Sequence, residues 1–572
     1  MKRILALLTI IFCFAAFPVP SRCEDVFRVP IIYVQFSDLA LHGSKETSDS
    51  LAKELSLYYD AQFGPQKKFS FEPVETVNIA HSYSYYGTNT TNKRDALIFR
   101  LVIAAVKAAD EHTDFSQYDN DSDGNIDALI IVVPGISEAL GGGQDMFWPQ
   151  TNSLDADNAS LTADGKRITQ YSVVPELNAD GAIAGIGTAA HEFGHLLGLQ
   201  DMYDTDAEGS GGLHPGLGRN TALMDYGNLN DGGNTPPNLN AIDRHLLGIG
   251  KAVVLEEPGR YVLAPIDLEG EYGILPTGKP DCCFLMENRR SLGNDSFIGG
   301  EGMLIYRLDR SDSDAGYSTF FQRNLTAAER WRHNQVNCNP DFPCADLIRA
   351  LPDSSDIRYA FWPQPGADCF APSPLALTNI SREYDGSISF VLLEPIRIEE
   401  IKAFQSSAII SWTISPQMNP VDSCKINWWS DSQSQREKIV RPSGPEAFSC
   451  TLDSLRHGSR YHFAIQLWCK GGSTFAATGQ FSTLNYRSSI YRFIYFGDVS
   501  RNEDGSFPPG TRIPLIVYNA VEVEQTEWLF DGRPVRTEAD GYWTIPGSGT
   551  LKARIHNADG STDVIIKEIT VR

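Results

Sequence analysis

The chain has 572 residues, 42% of them apolar and 10% aromatic, enough for about three or four domains with cores of their own. Lys and Arg number 48 against 72 Asp and Glu, a net charge of −24, and the basic residues are scattered without a stripe. This excludes a mainly disordered chain and argues against nucleic acid as a partner, since phosphates call for a concentrated basic footprint.

Lys2 and Arg3 precede an apolar run from Ile4 to Phe17 that breaks at Pro18, Val19, Pro20 and Ser21. A charged start, a short apolar stretch and a small-residue break predict an export signal over residues 1–23. The run is shorter than the about 20 residues of a membrane-spanning helix, and no later segment reaches that length without charges. The mature chain is expected to lack a membrane span and to be secreted, periplasmic or held at a cell surface. Cys23 raises a lipid anchor, but Arg22 stands where a lipobox needs a small residue. Five cysteines fall between residues 282 and 369 and three after 420, so either one bridge crosses the two halves or thiols remain. The vicinal Cys282–Cys283 reads as structural, and no CxxC pair suggests a cysteine-held zinc.

Val26 to Phe36 (VFRVPIIYVQF) is nearly continuous in apolar character and predicts a buried strand. Asp49 to Tyr59 predicts a helix, and Arg94 to Ala109 an amphipathic one with Ala96, Ile98, Leu101, Val102 and Ala105 on its apolar face. Ala128 to Val133 and Ile168 to Val174 predict further strands, and Gly187 to Leu199 a helix, an order that gives an α/β layered domain. From about Tyr261 the texture turns to short β-like segments, with a helical stretch at Ala327 to Arg332 and two strands around Asp385-Gly386. Pro395 opens a new unit with strand spacing at Ala408–Trp412, Lys425–Trp429, Phe448–Leu452 and Tyr461–Trp468. Its run Leu455 to Tyr461 resembles the tyrosine corner of fibronectin type III modules. Residues 486–572 again alternate like a sandwich, here immunoglobulin-like, at Trp528 to Gly532, Leu551 to Ile555 and Val564 to Val571. The expected division is 24–394, 395–485 and 486–572. No period of 20–50 residues repeats, which argues against a solenoid.

The segment Ala190 to Asp201 carries the chemistry. On a helix, His191 and His195 stand one turn apart on the same face, where two imidazoles can bind one zinc ion. Glu192 lies beside that face, placed to take a proton from a metal-acidified water. Gly198 lets the chain leave the helix with positive φ, and Asp201 can turn back as a third ligand. Three protein ligands leave a fourth position for water and substrate, as catalytic zinc sites require. The alternative is a solvated helix that happens to carry HExxH. The export signal, the preceding strand, and the glycine and acid at their spacings weigh against it.

HEFGHLLGLQDMYD resembles the immune inhibitor A-type (thuringilysin-like) family of secreted zinc metallopeptidases, whose motif is HExxHxxGxxD followed closely by Tyr-Asp. Tyr58 to Gly64, Asp114 to Asp127, Leu239 to Gly248, Phe284 to Arg289 and Gly302 to Tyr306 are similar to other family segments, so the likeness covers about residues 26–393. It implies a zincin-like (metzincin-like) α/β catalytic domain with a β-rich extension, followed by the two all-β sandwich modules. The implied activity is zinc-dependent endopeptidase cleavage of proteins or peptides, with zinc on His191, His195 and Asp201 and Glu192 as base and acid. Such domains set a Met-containing turn under the metal, and Ala222 to Gly227 matches it with Met224. Tyr226, two residues on, either donates to a developing oxyanion or fills the core beside the turn. Glu287, in a family-like segment, is a runner-up ligand. Family members commonly carry a sizeable N-terminal propeptide, for which the expected first strand leaves no room.

Asp119, Asp121, Asp123, Gly124, Asn125 and Asp127 take positions 1, 3, 5, 6, 7 and 9 of an EF-hand-like loop, but Ile130 replaces the usual Glu at position 12. Structural calcium and a solvated acidic turn both fit. Thr169 to Pro175 is expected to be the edge strand that pairs with an extended substrate. Gly209–Gly218 and Asn228–Asn234 read as mobile cleft rims. The sandwich modules suggest attachment to a surface, glycan or protein. Two other readings stay open: a catalytically inactive peptidase-like surface binding or adhesion protein, and hydrolysis of a non-peptide amide.

Overall fold

The computed structural model describes residues 26–572 apart from 92, 314, 373, 417–422, 432, 442–446, 469–473, 485–491, 521–522 and 559, so the expected export signal and Cys469 lie outside the described residues. The chain forms two compact units, one running to Phe370 and taking in Leu377–Leu392, the other comprising Ala371–Ala376 and Leu393–Arg572.

The first unit opens with β1 (Val26–Phe36), α1 (Lys45–Phe63), β2 (Lys68–Ile79), α2 (Ile98–Ala109), β3 (Ile130–Ile136), β4 (Gln150–Ser153), β5 (Gln170–Leu177) and α3 (Gly187–Leu196). The strands form one sheet in the order β2-β1-β3-β5-β4, parallel except for β4, which runs antiparallel to β5. The central strands are apolar throughout because both faces are covered. Val29, Ile31, Tyr33, Ile130 and Val132 pack with Leu55 and Tyr59 of α1 and Phe193 of α3. Their neighbours Ile32, Val34, Ile131 and Val133 face Leu101, Val102 and Ala105 of α2. The strand alternation thus builds two cores from one sheet.

Two expectations change here. Helix α2 begins at Ile98 rather than Arg94, because Asp95 has a left-handed φ of 46° and its buried carboxylate accepts from Trp148 N (3.0 Å) and Gln150 Nε2 (2.9 Å). Thr169–Pro175 is not an edge: β5 lies between β3 and β4, and the edge on that side of the sheet is β4.

The β-rich extension holds α4 (Ala241–Leu247), β6 (Lys251–Val254), β7 (Glu271–Pro276), β8 (Cys282–Arg289), β9 (Gly302–Asp309), α5 (Ala327–Arg332) and β10 (Ala345–Ile348). Its sheet runs β10-β9-β8-β7-β6. Cys282, Cys283, Cys338 and Cys344 in this unit are thiols, as is Cys450 in the second.

The second unit begins with a sheet of Ile396–Ala403, Ala408–Ile414 and Ala447–Leu452 and another of Gln433–Val440, Cys424–Ser430, Arg460–Trp468 and Thr474–Ser482. The Tyr461 hydroxyl accepts from Arg456 N at 2.8 Å and donates to Gln433 Oε1 at 2.5 Å, closing the corner that the sequence marks. Further on, Val523–Phe530, Gly549–Asn557 and Thr562–Ile569 pair antiparallel over a core of Ile513, Leu551, Ala553 and Ile555. Asp531 and Gly532 both take positive φ, as a two-residue hairpin turn requires.

Candidate metal centre

Helix α3 is buried along nearly its whole length, and its two histidines turn inward together, ring centroids 4.9 Å apart. Each ring is fixed from behind: His191 Nδ1–H donates to Leu223 O and His195 Nδ1–H to Leu199 O, both at 2.9 Å. Gly198 follows the helix at φ 98°, which only glycine adopts without strain, and reverses the chain so that Asp201 returns to the histidines. Asp201 Oδ1 stands 3.1 Å from His191 Nε2 and 3.3 Å from His195 Nε2.

With their Nδ1 protons committed to carbonyls, both imidazoles present Nε2 lone pairs toward a carboxylate oxygen. Asp201 Oδ1 is fully buried and receives no hydrogen bond. Three converging acceptors call for a cation among them, and two imidazoles with one carboxylate are a donor set that zinc favours. Without a cation, protons fill that role. Burial works against a charged His191, but the Asp201 carboxylate, which can accept from the ring only once Nε2 is protonated, outweighs it and lifts the ring to about 9. Burial likewise opposes ionised Asp201, and the two imidazoles reverse this and hold it far below the usual carboxylate range.

Glu192 is 4% exposed, and burial raises its carboxyl against the opposing pull of both histidines and Thr151. Thr151 Oγ1, on the edge strand β4, donates to Glu192 Oε2 at 2.8 Å. Edge strand, histidines, Glu192, Asp201, Tyr203 and Asn334 line one cleft of about 370 Å³. A larger cavity of about 660 Å³, beside Glu176 and the first turns of α1 and α3, holds none of these donors.

Met224 is fully buried, and its backbone carbonyl accepts from Met202 N at 2.8 Å, which ties the 222–227 turn to the loop after the motif. Tyr226 does not line the cleft. It is 38% exposed, its ring 5.4 Å from that of Tyr203 and 4.3 Å from the Arg219 guanidinium. Tyr203 is the tyrosine that reaches the cleft, its phenol pushed well above its usual range by burial and by the Asp201 and Glu192 charges. The runner-up Glu287 is not at the histidines. It is completely buried, accepting from Ala241 N (2.5 Å), Tyr306 Oη (2.8 Å) and Arg289 Nη1 (2.8 Å).

Three contributors to the centre escaped the motif: Thr151, Tyr203 and Asn334. Tyr203 stands in the Tyr-Asp pair that follows the motif and was open to reading. Thr151 and Asn334 have no local signal.

In the acidic loop, Asp119, Asp121 and Asp127 offer carboxylate oxygens within 4.8 Å of one another. Asp119 Oδ1 is buried without a hydrogen bond, while its Oδ2 accepts from Lys166 Nζ at 2.6 Å. Asp123 instead turns onto its own loop, accepting from Asn125 N (2.7 Å) and Nδ2 (2.9 Å).

A buried helix with paired histidines, an intervening glutamate and a returning aspartate defines a metallohydrolase type of centre. Residues 34–214, which include the motif, match the family model described as immune inhibitor A peptidase M6, catalytic domain. Over 184 residues the chain is 32% identical to immune inhibitor A of Bacillus thuringiensis subsp. alesti, covering 27% of this chain and 26% of that protein. Over 177 residues it is 27% identical to the pre-pro-metalloprotease PrtV of Vibrio cholerae serotype O1, covering 27% of this chain and 19% of that protein. The matched region thus spans about a quarter or less of these relatives. Among solved structures, the fibronectin type III domain of human collagen alpha-1(XX) chain covers 17% of this chain and 88% of its own, at 17% identity and a TM-score of 0.15.

Proposed function

We propose that this chain is a secreted zinc-dependent endopeptidase. One observation carries the reading: the Nε2 lone pairs of His191 and His195 and the hydrogen-bond-free Asp201 Oδ1 converge beside Glu192. Zinc held by His191, His195 and Asp201 would supply Lewis acidity, acidifying a water and polarising a peptide carbonyl. Glu192 is committed to Thr151 through Oε2, which leaves Oε1 to accept the proton of the attacking water. As the water oxygen bonds to the carbonyl carbon and the C–N bond breaks, Glu192 returns that proton to the leaving nitrogen. Among the described residues nothing pairs with the outer edge of strand β4, which runs along the same cleft and is suited to pair with an extended peptide. Tyr203 is the better-sited phenol for a developing oxyanion, and the Tyr226 ring packs against it at a tilt.

The match to a peptidase family and to a relative named a metalloprotease supports the peptide bond as the target. The mostly parallel sheet, the helix carrying HExxH and the buried Met224 fit a metzincin-like domain over 24–394. Residues 395–485 and 486–572 are proposed as a fibronectin type III-like and an immunoglobulin-like module serving attachment. The charged start and short apolar run within residues 1–23 support export, and no helix among the described residues is long and apolar enough to cross a membrane. Calcium on Asp119, Asp121 and Asp127 is proposed as a structural ion, supported by the orphaned Asp119 Oδ1. The test is cleavage of a quenched-peptide library with and without a zinc chelator. Chelator-sensitive cleavage restored by zinc supports the reading. A folded, zinc-loaded chain that cuts no peptide would shift the function to binding by the modules.

A further inference from the structure

We propose that Asn334 is a positioning residue for the metal centre, clamping the third ligand from outside the segment that matches the family model; the inference rests on the zinc reading of that centre. Asn334 meets Asp201 at two points. Its Oδ1 accepts from Asp201 N at 2.7 Å, and its Nδ2 donates to Asp201 Oδ2 at 2.6 Å. Both ends of the amide are spent on one residue 133 positions away, and the carboxylate oxygen left without a donor is Oδ1, the one that faces the histidines. A hydrogen bond to an ionised carboxylate is the strong kind, and it sets which oxygen points inward.

The backbone explains how the clamp is held. Helix α5 ends at Arg332, and Asn334 follows in the left-handed region at φ 53°, with Gln335 N donating to Arg330 O at 2.9 Å. This is a glycine-type helix stop that Asn also tolerates. The segment grips the 201–205 loop twice more, through Thr205 Oγ1 donating to Asn334 O (2.9 Å) and Asn337 Nδ2 donating to Met202 O (2.8 Å). Glycine at position 334 therefore keeps the helix stop and the Thr205 contact and removes the clamp alone.

The test measures zinc affinity by competition with a chelator, and the absorption bands of the cobalt-loaded protein, for the full chain, Asn334→Gly and Asn334→Asp. Asn334→Gly is expected to melt close to wild type, to bind zinc about 10–100-fold more weakly, and to show shifted cobalt bands. Asn334→Asp keeps the acceptor for the Asp201 amide and loses the donor, so its cobalt bands are expected to shift even if the glycine variant fails to fold. Wild-type zinc affinity and unmoved bands in a folded variant would overturn the inference alone. A wild-type chain that takes up no zinc, or takes up as much after His191→Ala, would overturn the zinc reading and this inference together.

Discussion

Gly194 passes so close to Met224 that a Cβ on it would stand 2.8 Å from the methionine Sδ. The helix that carries both histidines thus rests directly on the Met-turn, whose Leu223 carbonyl also holds His191 Nδ1. Gly194→Ala is expected to push the two apart at a cost of about 1–3 kcal/mol in denaturant unfolding. Met224→Ala in the same chain should relieve the clash while opening a cavity. A Gly194→Ala protein of unchanged stability would show that this contact yields freely.

Arg289 lies completely buried between Glu287 and Asp295, at 2.8 and 2.5 Å. Removing Glu287 leaves Arg289 paired with Asp295 but strips Ala241 N, Tyr306 Oη and Arg289 Nη1 of their buried acceptor, at about 3–5 kcal/mol. Glu287→Ala is therefore expected to lower the unfolding midpoint sharply while folded material keeps its zinc stoichiometry. Loss of zinc without loss of stability would restore Glu287 as a ligand.

Two buried aspartates give stability opposite pH slopes. Burial opposes ionised Asp309, but its hydrogen bonds from Ser311 and its contact with Lys279 hold it down at about 2. Its unfolded value is about 3.9, so its stabilisation is complete above about pH 4 and drains away as pH falls through about 2. Burial lifts Asp243 to about 7, so the folded state holds a proton that the unfolded state has lost, and stability falls as pH rises from about 4 to 7. Denaturant unfolding across this range should show Asp309→Asn flattening the acid limb and Asp243→Asn flattening the neutral one. Unchanged slopes in both variants would show that other groups set the profile.

Calcium is expected to raise the melting temperature of the wild type and not of Asp121→Asn, because a ligand bound by the folded state alone stabilises it. Asp121 is exposed, so the substitution itself should cost little. Equal response of both proteins, or none, would leave the acidic loop a solvated turn.

Much of the fold was legible because burial on both faces leaves a plain mark. VFRVPIIYVQF and the Ile130–Val133 run are apolar without alternation, and the sheet that they centre follows. Strand β2 was missed because Glu72, Pro73 and Glu75 interrupt it, although Phe69 and Phe71 point into the core. The edge strand β4 reads Gln-Thr-Asn-Ser, with no apolar residue to announce a strand, and so its place was given to its buried neighbour. The proposed ligands were legible because His191 and His195 stand one helix turn apart and Asp201 follows the Gly198 reversal, all within eleven positions. Asn334 was not: nothing local signals a partner that only tertiary folding brings to Asp201.

Glu192 is proposed to move the proton while His191, His195 and Asp201 hold the metal. The most direct measurement sets peptide cleavage beside bound zinc per chain for the wild type and Glu192→Gln. The expected result is one zinc per chain in both proteins, with chelator-sensitive cleavage in the wild type and loss of nearly all of it in the variant. Cleavage that survives Glu192→Gln with zinc still bound would contradict that role for Glu192.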